Sequence, residues 1–397
     1  MTTTPECVLP ADPLFQQQFQ AGARPHLTSV PTGEALALAP SLDPVVLSSW
    51  QTQAGTERHH QLQRLTLPGR HHLMLHTDAE GSESEDLAIA LMPGWTETIG
   101  GAILKATHAG LSHRFPAASI DTHATYGTDG TLPHYNPLEI GRQTVELAAH
   151  EIIAAYERLH GSRPSELAAT SFGAGGLDHE QAINHFGNTL SHYISLGIGE
   201  KAIRLAAQKS FDVFVPLYEG KRTVLVATSM SAAVLARMEE INQDAGKPLD
   251  IVGRVLYAPC LVPPEKARAV LLGRFATHLV RSTFDELVRD SSPREAISLI
   301  NNTLHSRPPA SDLFRIIGLG IALLEGTPVE MSNQLAEQGL HLVQGMNDCL
   351  RNTALEQHPG VIAKLLPGRG HSMSMNSANR VAAIAQEITD LGVYQPR

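Results

Sequence analysis

The sequence is poor in cysteine and in cationic side chains, and each scarcity excludes a class of protein. Its 397 residues include three cysteines, Cys7, Cys260 and Cys349. An odd number at such wide spacing indicates a reducing compartment, not a disulfide framework or a zinc site. Lys and Arg together number 30 against 40 acidic residues, which gives a formal net charge of −10. Nucleic-acid binders carry a basic patch, so this charge balance argues against that class.

The sequence also lacks long apolar runs. No stretch reaches the roughly 18 consecutive apolar residues of a membrane span. The first twenty residues, MTTTPECVLPADPLFQQQFQ, have neither the basic start nor the apolar run of a secretory signal. We therefore expect a soluble, cytoplasmic protein without a membrane span.

Histidine, in contrast, is frequent, with 20 residues that include the pairs His59-His60 and His71-His72. Adjacent residues on a strand point to opposite faces of the sheet, so neither pair is suited to hold one ion. The metal-binding patterns H-E-x-x-H and C-x-x-C do not occur in the chain. The sequence predicts no catalytic metal and no cofactor.

The order of predicted elements indicates the fold class. Three strand-like runs (62–67, 71–76 and 87–92) open the folded region, and further strands alternate with helices to the end of the chain. Such alternation predicts an α/β protein with a mostly parallel sheet flanked by helices and a hairpin at its start. Four parts are expected: an N-terminal extension with short helical pieces (1–55), the first part of the core (56–261, with an insertion at about 161–198), a helical cap (262–336) and the second part of the core (337–397).

Three serines are candidates for a nucleophile. Ser229 follows the strand-like TVLVA and precedes the helix former AAVLARMEEI, which is the context of a serine on a sharp strand-to-helix turn. Ser171, in AATSFGAGG, has the smaller neighbours, but its upstream flank is a poor strand and its downstream flank is a poor helix start. Ser372 follows Gly-Arg-Gly in a predicted loop. The flanks favour Ser229, with Ser171 as the alternative.

In its elements and motif order, the chain from about residue 60 onward resembles serine-nucleophile members of the α/β-hydrolase superfamily with a helical cap. LHLVQGMNDCLRN is similar to that family's acid-bearing segment and KLLPGRGHSMSM to its histidine-bearing loop. The resemblance implies a catalytic triad of Ser229, Asp348 and His371. LMPGWTETIGG is similar to the oxyanion-hole loop, so the resemblance also implies backbone donors at Trp95 and Met230.

The sequence departs from the family pattern at three points. Ala227 and Ser231 stand where the usual elbow has glycines, and Pro93-Gly94 stands where many members have His-Gly. The segment between the helix predicted at 138–159 and Ser229 is longer than is usual in the family, which keeps Ser171 in consideration.

Three functions fit these patterns. The first is a serine hydrolase that cleaves a carboxylic ester or thioester through an acyl-enzyme, with a small, partly apolar acyl compound as its substrate. The second is an acyltransferase that uses the same site. The third is a hydrolase-like binding protein that has lost catalysis, which the missing elbow glycines favour.

Overall fold

The structure is a computed structural model. It describes residues 39–40, 45–51, 57–67, 70–80, 86–94, 97, 102–123, 198–264, 266, 322, 325–371, 373 and 377–394. The helix predicted at 138–159, nearly all of the predicted insertion at about 161–198 and most of the predicted cap (262–336) lie outside these ranges.

Ten strands form one sheet in the described part of the chain. They are β1 (Ala39–Pro40), β2 (Val45–Gln51), β3 (Glu57–Leu67), β4 (Arg70–Thr77), β5 (Leu87–Met92), β6 (Ser119–His123), β7 (Arg222–Thr228), β8 (Asp250–Tyr257), β9 (Leu340–Gly345) and β10 (Val361–Leu366). The described helices are α1 (Ala102–Arg114), α2 (Ile198–Leu217), α3 (Ser231–Asp244), α4 (Val329–Glu337), α5 (Thr353–Glu356) and α6 (Ser377–Asp390).

The strand order is β1-β3-β4-β6-β5-β7-β8-β9-β10, and β2 also pairs with β3. Strands β6, β5, β7, β8, β9 and β10 run parallel, whereas β3 and β4 form the predicted antiparallel hairpin. The carboxyl ends of the parallel strands therefore meet at one edge of the sheet, where ligands bind in open α/β folds. The predicted fold class is confirmed.

Alternation along the central strands explains why helices cover both faces. In β5, Ala88 and Ala90 belong to an apolar cluster with α2, α3 and α4, while Ile89 and Leu91 belong to a second cluster with α1 and α6. Side chains alternate between the faces of a strand, so a run such as LAIALM, buried at every position, requires a layer on each side.

Two strands lie within the predicted N-terminal extension. Strands β1 and β2, both within residues 1–55, pair antiparallel with β3. The sequence predicts neither strand, and β2 forms because β3 offers VVLSSWQ an open edge. No helix in the described ranges is long and apolar enough to cross a bilayer.

Candidate active site

Ser229 occupies a sharp turn between β7 and α3, at the carboxyl edge of the sheet. Its φ is 54°, in the left-handed region, where non-glycine residues are strained. Two backbone hydrogen bonds hold this conformation: Ser229 N–H donates to Tyr257 O at 3.1 Å, and Cys260 N–H donates to Ser229 O at 3.0 Å. The turn therefore presents the serine hydroxyl beyond the end of the strand, as a nucleophile elbow requires.

The hydroxyl of Ser229 begins a chain of three hydrogen-bonded side chains. Ser229 Oγ lies 3.0 Å from Nε2 of His371, and Nδ1 of His371 lies 3.0 Å from Oδ2 of Asp348. Asp348 follows β9 and His371 follows β10, so parallel neighbouring strands bring both to the serine. The other two candidate serines, Ser171 and Ser372, lie outside the described residues.

Asp348 is buried and fixed by several donors. Its Oδ1 accepts the backbone N–H of Leu350 at 2.8 Å, and its Oδ2 accepts the side-chain amide of Gln344 at 3.3 Å. Burial alone would raise the pKa of Asp348, but the facing His371 and these hydrogen bonds hold it below its ordinary value. The carboxylate is therefore charged at neutral pH and orients the imidazole.

His371 is also buried, and its surroundings raise its pKa. Burial disfavours the imidazolium, yet the facing groups Cys260 and Asp348 raise the pKa of His371 well above 6.5. A histidine held in this way is a strong base once its proton is lost.

A backbone donor lies directly after the serine. Met230 precedes the first residue of α3, and no described residue accepts a hydrogen bond from its N–H. N–H groups at a helix N-terminus, together with the helix dipole, stabilise negative charge. The second predicted donor, Trp95, lies outside the described residues.

The non-glycine residues of the elbow are accommodated by specific contacts. Ser231 is fully buried, and its hydroxyl donates to the carbonyl oxygen of Pro93 in the loop after β5. Ala227 is buried in the cluster beneath α3. A Cβ added to Gly94 would lie 3.2 Å from Cβ of Ser229, so the loop passes close to the elbow and a larger residue there would crowd the serine.

Glu97 and Arg380 anchor the same loop. Glu97 Oε2 accepts the backbone N–H of Gly94 at 2.6 Å. Arg380, which is buried, forms an ion pair with Glu97 and donates to Thr228 Oγ1 at 2.8 Å. Through these contacts the last helix connects the loop after β5 to the residue that precedes the serine.

Cys260 places a thiol inside the hydrogen-bonded chain. Its Sγ lies 3.3 Å from Ser229 Oγ and 3.6 Å from His371 Nε2. The backbone before it turns at Ala258, whose φ of 48° is also strained, and Ala258 N–H donates to Val343 O at 2.9 Å. Backbone hydrogen bonds therefore fix the position of Cys260 beside the serine.

Met230 and Cys260 line a mostly apolar pocket. Its walls include Ala233, Val262 and Met331 from three segments of the chain. Glu200 and Thr327 are among its few polar lining residues.

Among the described residues, no group of three His, Cys, Asp or Glu side chains is arranged to hold a metal ion.

Sequence reasoning misses three residues of this site. From the sequence, Cys260 is predicted only as the last residue of a strand. That position, at the carboxyl edge of a parallel sheet, is a signal that could have identified it as a site residue. Glu97 carries a weaker signal, because it lies in the loop that is similar to an oxyanion-hole loop. Arg380 carries none, since a single arginine on an amphipathic helix is ordinary.

The strand order and the elbow between β7 and α3 together define an α/β-hydrolase fold. No protein-family model matches the sequence, and no curated protein matches it.

Among solved structures, the chain is similar to a serine hydrolase from Cycloclasticus zankles (10% identity, 84% of this chain and 99% of that one covered, TM-score 0.46). It is also similar to a soluble variant of monoglyceride lipase from Saccharomyces cerevisiae (12% identity, 84% of this chain and 96% of that one covered, TM-score 0.41). A third similar structure is an α/β-hydrolase fold protein from Chitinophaga pinensis (12% identity, 82% of this chain and 96% of that one covered, TM-score 0.40). Identities this low carry no information about the substrate.

Proposed function

We propose that this protein is a serine hydrolase that cleaves a carboxylic ester or thioester through an acyl-enzyme. The observation that carries the proposal is the contact between Ser229 Oγ and His371 Nε2 at 3.0 Å, with Ser229 in the strained conformation of an elbow. A serine hydroxyl is a weak nucleophile at neutral pH and needs an adjacent base, which this contact supplies.

In the proposed reaction, Ser229 Oγ attacks the substrate carbonyl carbon while its proton passes to His371 Nε2. Asp348, whose Oδ2 is hydrogen-bonded to His371 Nδ1 at 3.0 Å, stabilises the imidazolium. The imidazolium then protonates the leaving alcohol or thiol, and an acyl-Ser229 ester remains. Water, deprotonated by His371, hydrolyses this ester and restores the serine.

The negative charge of each tetrahedral intermediate requires fixed donors. We assign one donor to the N–H of Met230 at the start of α3, and the other to Trp95 on the loop that Glu97 anchors. Removing one such donor typically lowers kcat by about 10²–10³. The buried anchors of this loop support the assignment, because an oxyanion hole must be rigid before the charge develops.

The pocket beside Met230 supports an apolar acyl group. Ala233, Val262 and Met331 supply carbon surface next to the reacting centre, and ligand pockets are generally apolar with a few polar groups that set orientation. The acyl chain of the substrate therefore lies against α3 and α4 in this proposal.

Labelling with a fluorophosphonate, followed by peptide mapping, tests the function. We expect the label on Ser229, and we expect Ser229→Ala and His371→Ala to abolish both labelling and hydrolysis of short acyl esters. Ser210→Ala is the matched control, because Ser210 is buried and its hydroxyl has no hydrogen-bond partner in the described part of the chain. Its labelling should equal that of the wild type.

Three results separate the alternative functions. Free acid as the product indicates hydrolysis, whereas transfer of the acyl group to an added alcohol or thiol in preference to water indicates an acyltransferase. A folded wild-type protein that is never labelled and turns over no ester or thioester supports the binding-protein function instead.

A further inference from the structure

The proposed site contains two nucleophilic side chains, not one. Cys260 Sγ lies 3.6 Å from His371 Nε2, the same nitrogen that contacts Ser229 Oγ at 3.0 Å. Cysteine and histidine at this distance form a reactive pair in cysteine-dependent enzymes, since the histidine takes the thiol proton and the thiolate is the nucleophile.

The backbone fixes the two nucleophiles relative to each other. Cys260 N–H donates to the carbonyl oxygen of Ser229, and the strained residue Ala258 sets the turn that brings the thiol there. Cys260 also forms part of the wall of the apolar pocket beside Met230. A small molecule that enters this pocket therefore meets the thiol, which lies 3.3 Å from the serine hydroxyl.

We propose that Cys260 is a second nucleophile of the site, which reacts with soft electrophiles through the base His371 and thereby blocks acyl transfer at Ser229. This inference rests on the proposed function for its effect on activity, but the reaction of the thiol does not depend on it. The ligand class is a small, uncharged electrophile, such as a thiosulfonate or an activated alkene.

The reaction with methyl methanethiosulfonate illustrates the step. The neutral ring of His371 accepts the Cys260 thiol proton at Nε2, and Sγ attacks the methylthio sulfur of the reagent. A disulfide bond to the methylthio group forms, the sulfur–sulfonyl bond breaks, and methanesulfinate leaves with the electron pair. The thiol sulfur is oxidised, the reagent is reduced to the sulfinate, and His371 releases the proton to solvent.

The product would obstruct the serine. Sγ lies only 3.3 Å from Ser229 Oγ, so a methylthio group on Sγ occupies space that the substrate acyl carbon needs. Reduction with dithiothreitol removes the group and should restore the site, which distinguishes blockage from unfolding.

Cys349 provides a matched control within the same chain. It adjoins Asp348 and is more exposed than the buried Cys260, so access alone predicts that Cys349 reacts first. Burial and the neighbouring carboxylate of Asp348 raise the pKa of Cys349 to about 11, which keeps its thiol protonated at neutral pH. Activation by a base predicts the opposite order, with Cys260 first.

The test treats the full chain with methyl methanethiosulfonate at neutral pH and follows ester hydrolysis and peptide mapping together. We expect a methylthio group on Cys260 before Cys349, loss of activity in step with that adduct, and recovery with dithiothreitol. Cys260→Ala, measured against its own untreated activity, should lose none, whereas Cys349→Ala should be inactivated like the wild type. His371→Ala should slow modification of Cys260 by about tenfold or more, because the base is gone.

The inference is overturned if Cys349 reacts first, if Cys260 is modified without loss of activity, or if the rate at Cys260 is unchanged in His371→Ala. Failure of the proposed function gives a different result, in which Ser229 is not labelled by a fluorophosphonate and no ester is hydrolysed. In that case the peptide map still reports modification of Cys260. If the adduct on Cys260 then forms no faster than the adduct on Cys349, the inference is overturned independently of the proposed function.

Discussion

Arg380 on the last helix forms an ion pair with Glu97, 283 residues earlier in the chain, and Glu97 in turn accepts the backbone N–H of Gly94 beside the elbow serine. Gly94 lies so close to the elbow that a Cβ there would approach Ser229 Cβ to 3.2 Å. The ion pair therefore sets the position of the loop proposed to carry part of the oxyanion hole. We interpret both charged residues as positioning residues, because they hold the loop and do not belong to the triad.

Replacing this ion pair should lower kcat more than it changes KM. In Glu97→Gln the charge-assisted bonds weaken, and such bonds contribute about 1.5–3 kcal/mol, so we expect kcat to fall by roughly tenfold or more. Arg380→Lys should retain more activity than Arg380→Met. Steady-state kinetics on a short acyl ester measures both parameters.

The matched control for that experiment is another buried ion pair, Glu239 with Arg254, which touches neither the loop nor the serine. Glu239→Gln should lose stability without a selective loss of kcat. Equal losses of kcat in Glu97→Gln and Glu239→Gln would show that the effect is general destabilisation, not positioning.

Ser231 offers a second test of the same loop. Its hydroxyl donates to the Pro93 carbonyl, so Ser231→Ala should leave a buried acceptor unpaired at a cost of about 1–3 kcal/mol. We expect a lower melting temperature and a lower kcat. Ser210→Ala, which removes a buried hydroxyl without a hydrogen bond in the described part of the chain, should do neither. An unchanged kcat in Ser231→Ala would mean that the loop is held without this bond.

The sequence predicts the sheet well where its physical signals are local. LAIALM and TVLVA are apolar runs of strand length, and their burial on both faces follows from that composition. The strand at Val45–Gln51 escapes prediction because its pairing partner, β3, decides its conformation more than its own residues do.

The same distinction applies to the site. Ser229 is recognisable because a strand and a helix flank it directly. Arg380 is not, because its role depends on a contact with Glu97 across most of the chain, and Arg380 itself has no distinctive neighbourhood in the sequence. Contacts at such separation are products of the fold, so only the assembled sheet reveals them.

Narrowing the apolar pocket should change the preferred acyl chain. Ala233 lies on α3 among the pocket walls, so Ala233→Leu should reduce kcat/KM for long acyl esters more than for acetyl esters. The measurement is kcat/KM across a series of acyl lengths. Ala363→Leu, at an exposed position of β10, is the control and should leave the series unchanged. A uniform loss at every length in Ala233→Leu would place the acyl chain elsewhere.

The half-buried His76 and its buried partner Asp121 should make stability depend on pH. Their side chains meet at 2.6 Å between Nδ1 and Oδ1. Burial would lower the pKa of His76, but Asp121 and Asp78 raise it to about 10; burial would raise the pKa of Asp121, but His76 lowers it to about 2. Both groups are therefore charged across the neutral range.

The sign follows from each shift. A raised histidine pKa stabilises the fold below the unfolded value of about 6.5, and this stability is lost as the pH rises toward 10. A lowered aspartate pKa stabilises the fold above the unfolded value of about 3.9, and this stability is lost as the pH falls toward 2. The melting temperature should therefore decline between about pH 6.5 and 10, and His76→Gln should flatten that decline. An equal slope in the variant would assign the decline to other groups.

Hydrolysis should need a higher pH than an ordinary histidine base would require. Burial disfavours the imidazolium of His371, but the facing groups Cys260 and Asp348 raise its pKa well above 6.5. The ring accepts the serine proton only when it is neutral, so kcat/KM should fall as the pH drops through a value above 6.5. Rates of ester hydrolysis, corrected for the reaction without enzyme, give this profile.

The variant Cys260→Ala tests the cause of that shift. It removes one of the two facing groups that raise the pKa of His371, so the acidic limb of its profile should move to lower pH, whatever its maximal rate. Cys349→Ala is the control and should keep the wild-type limb, because the Cys349 thiol, with its pKa raised to about 11, is uncharged across this range. A wild-type limb at or below pH 6.5, or one that stays in place in Cys260→Ala, would show that these groups do not control the base.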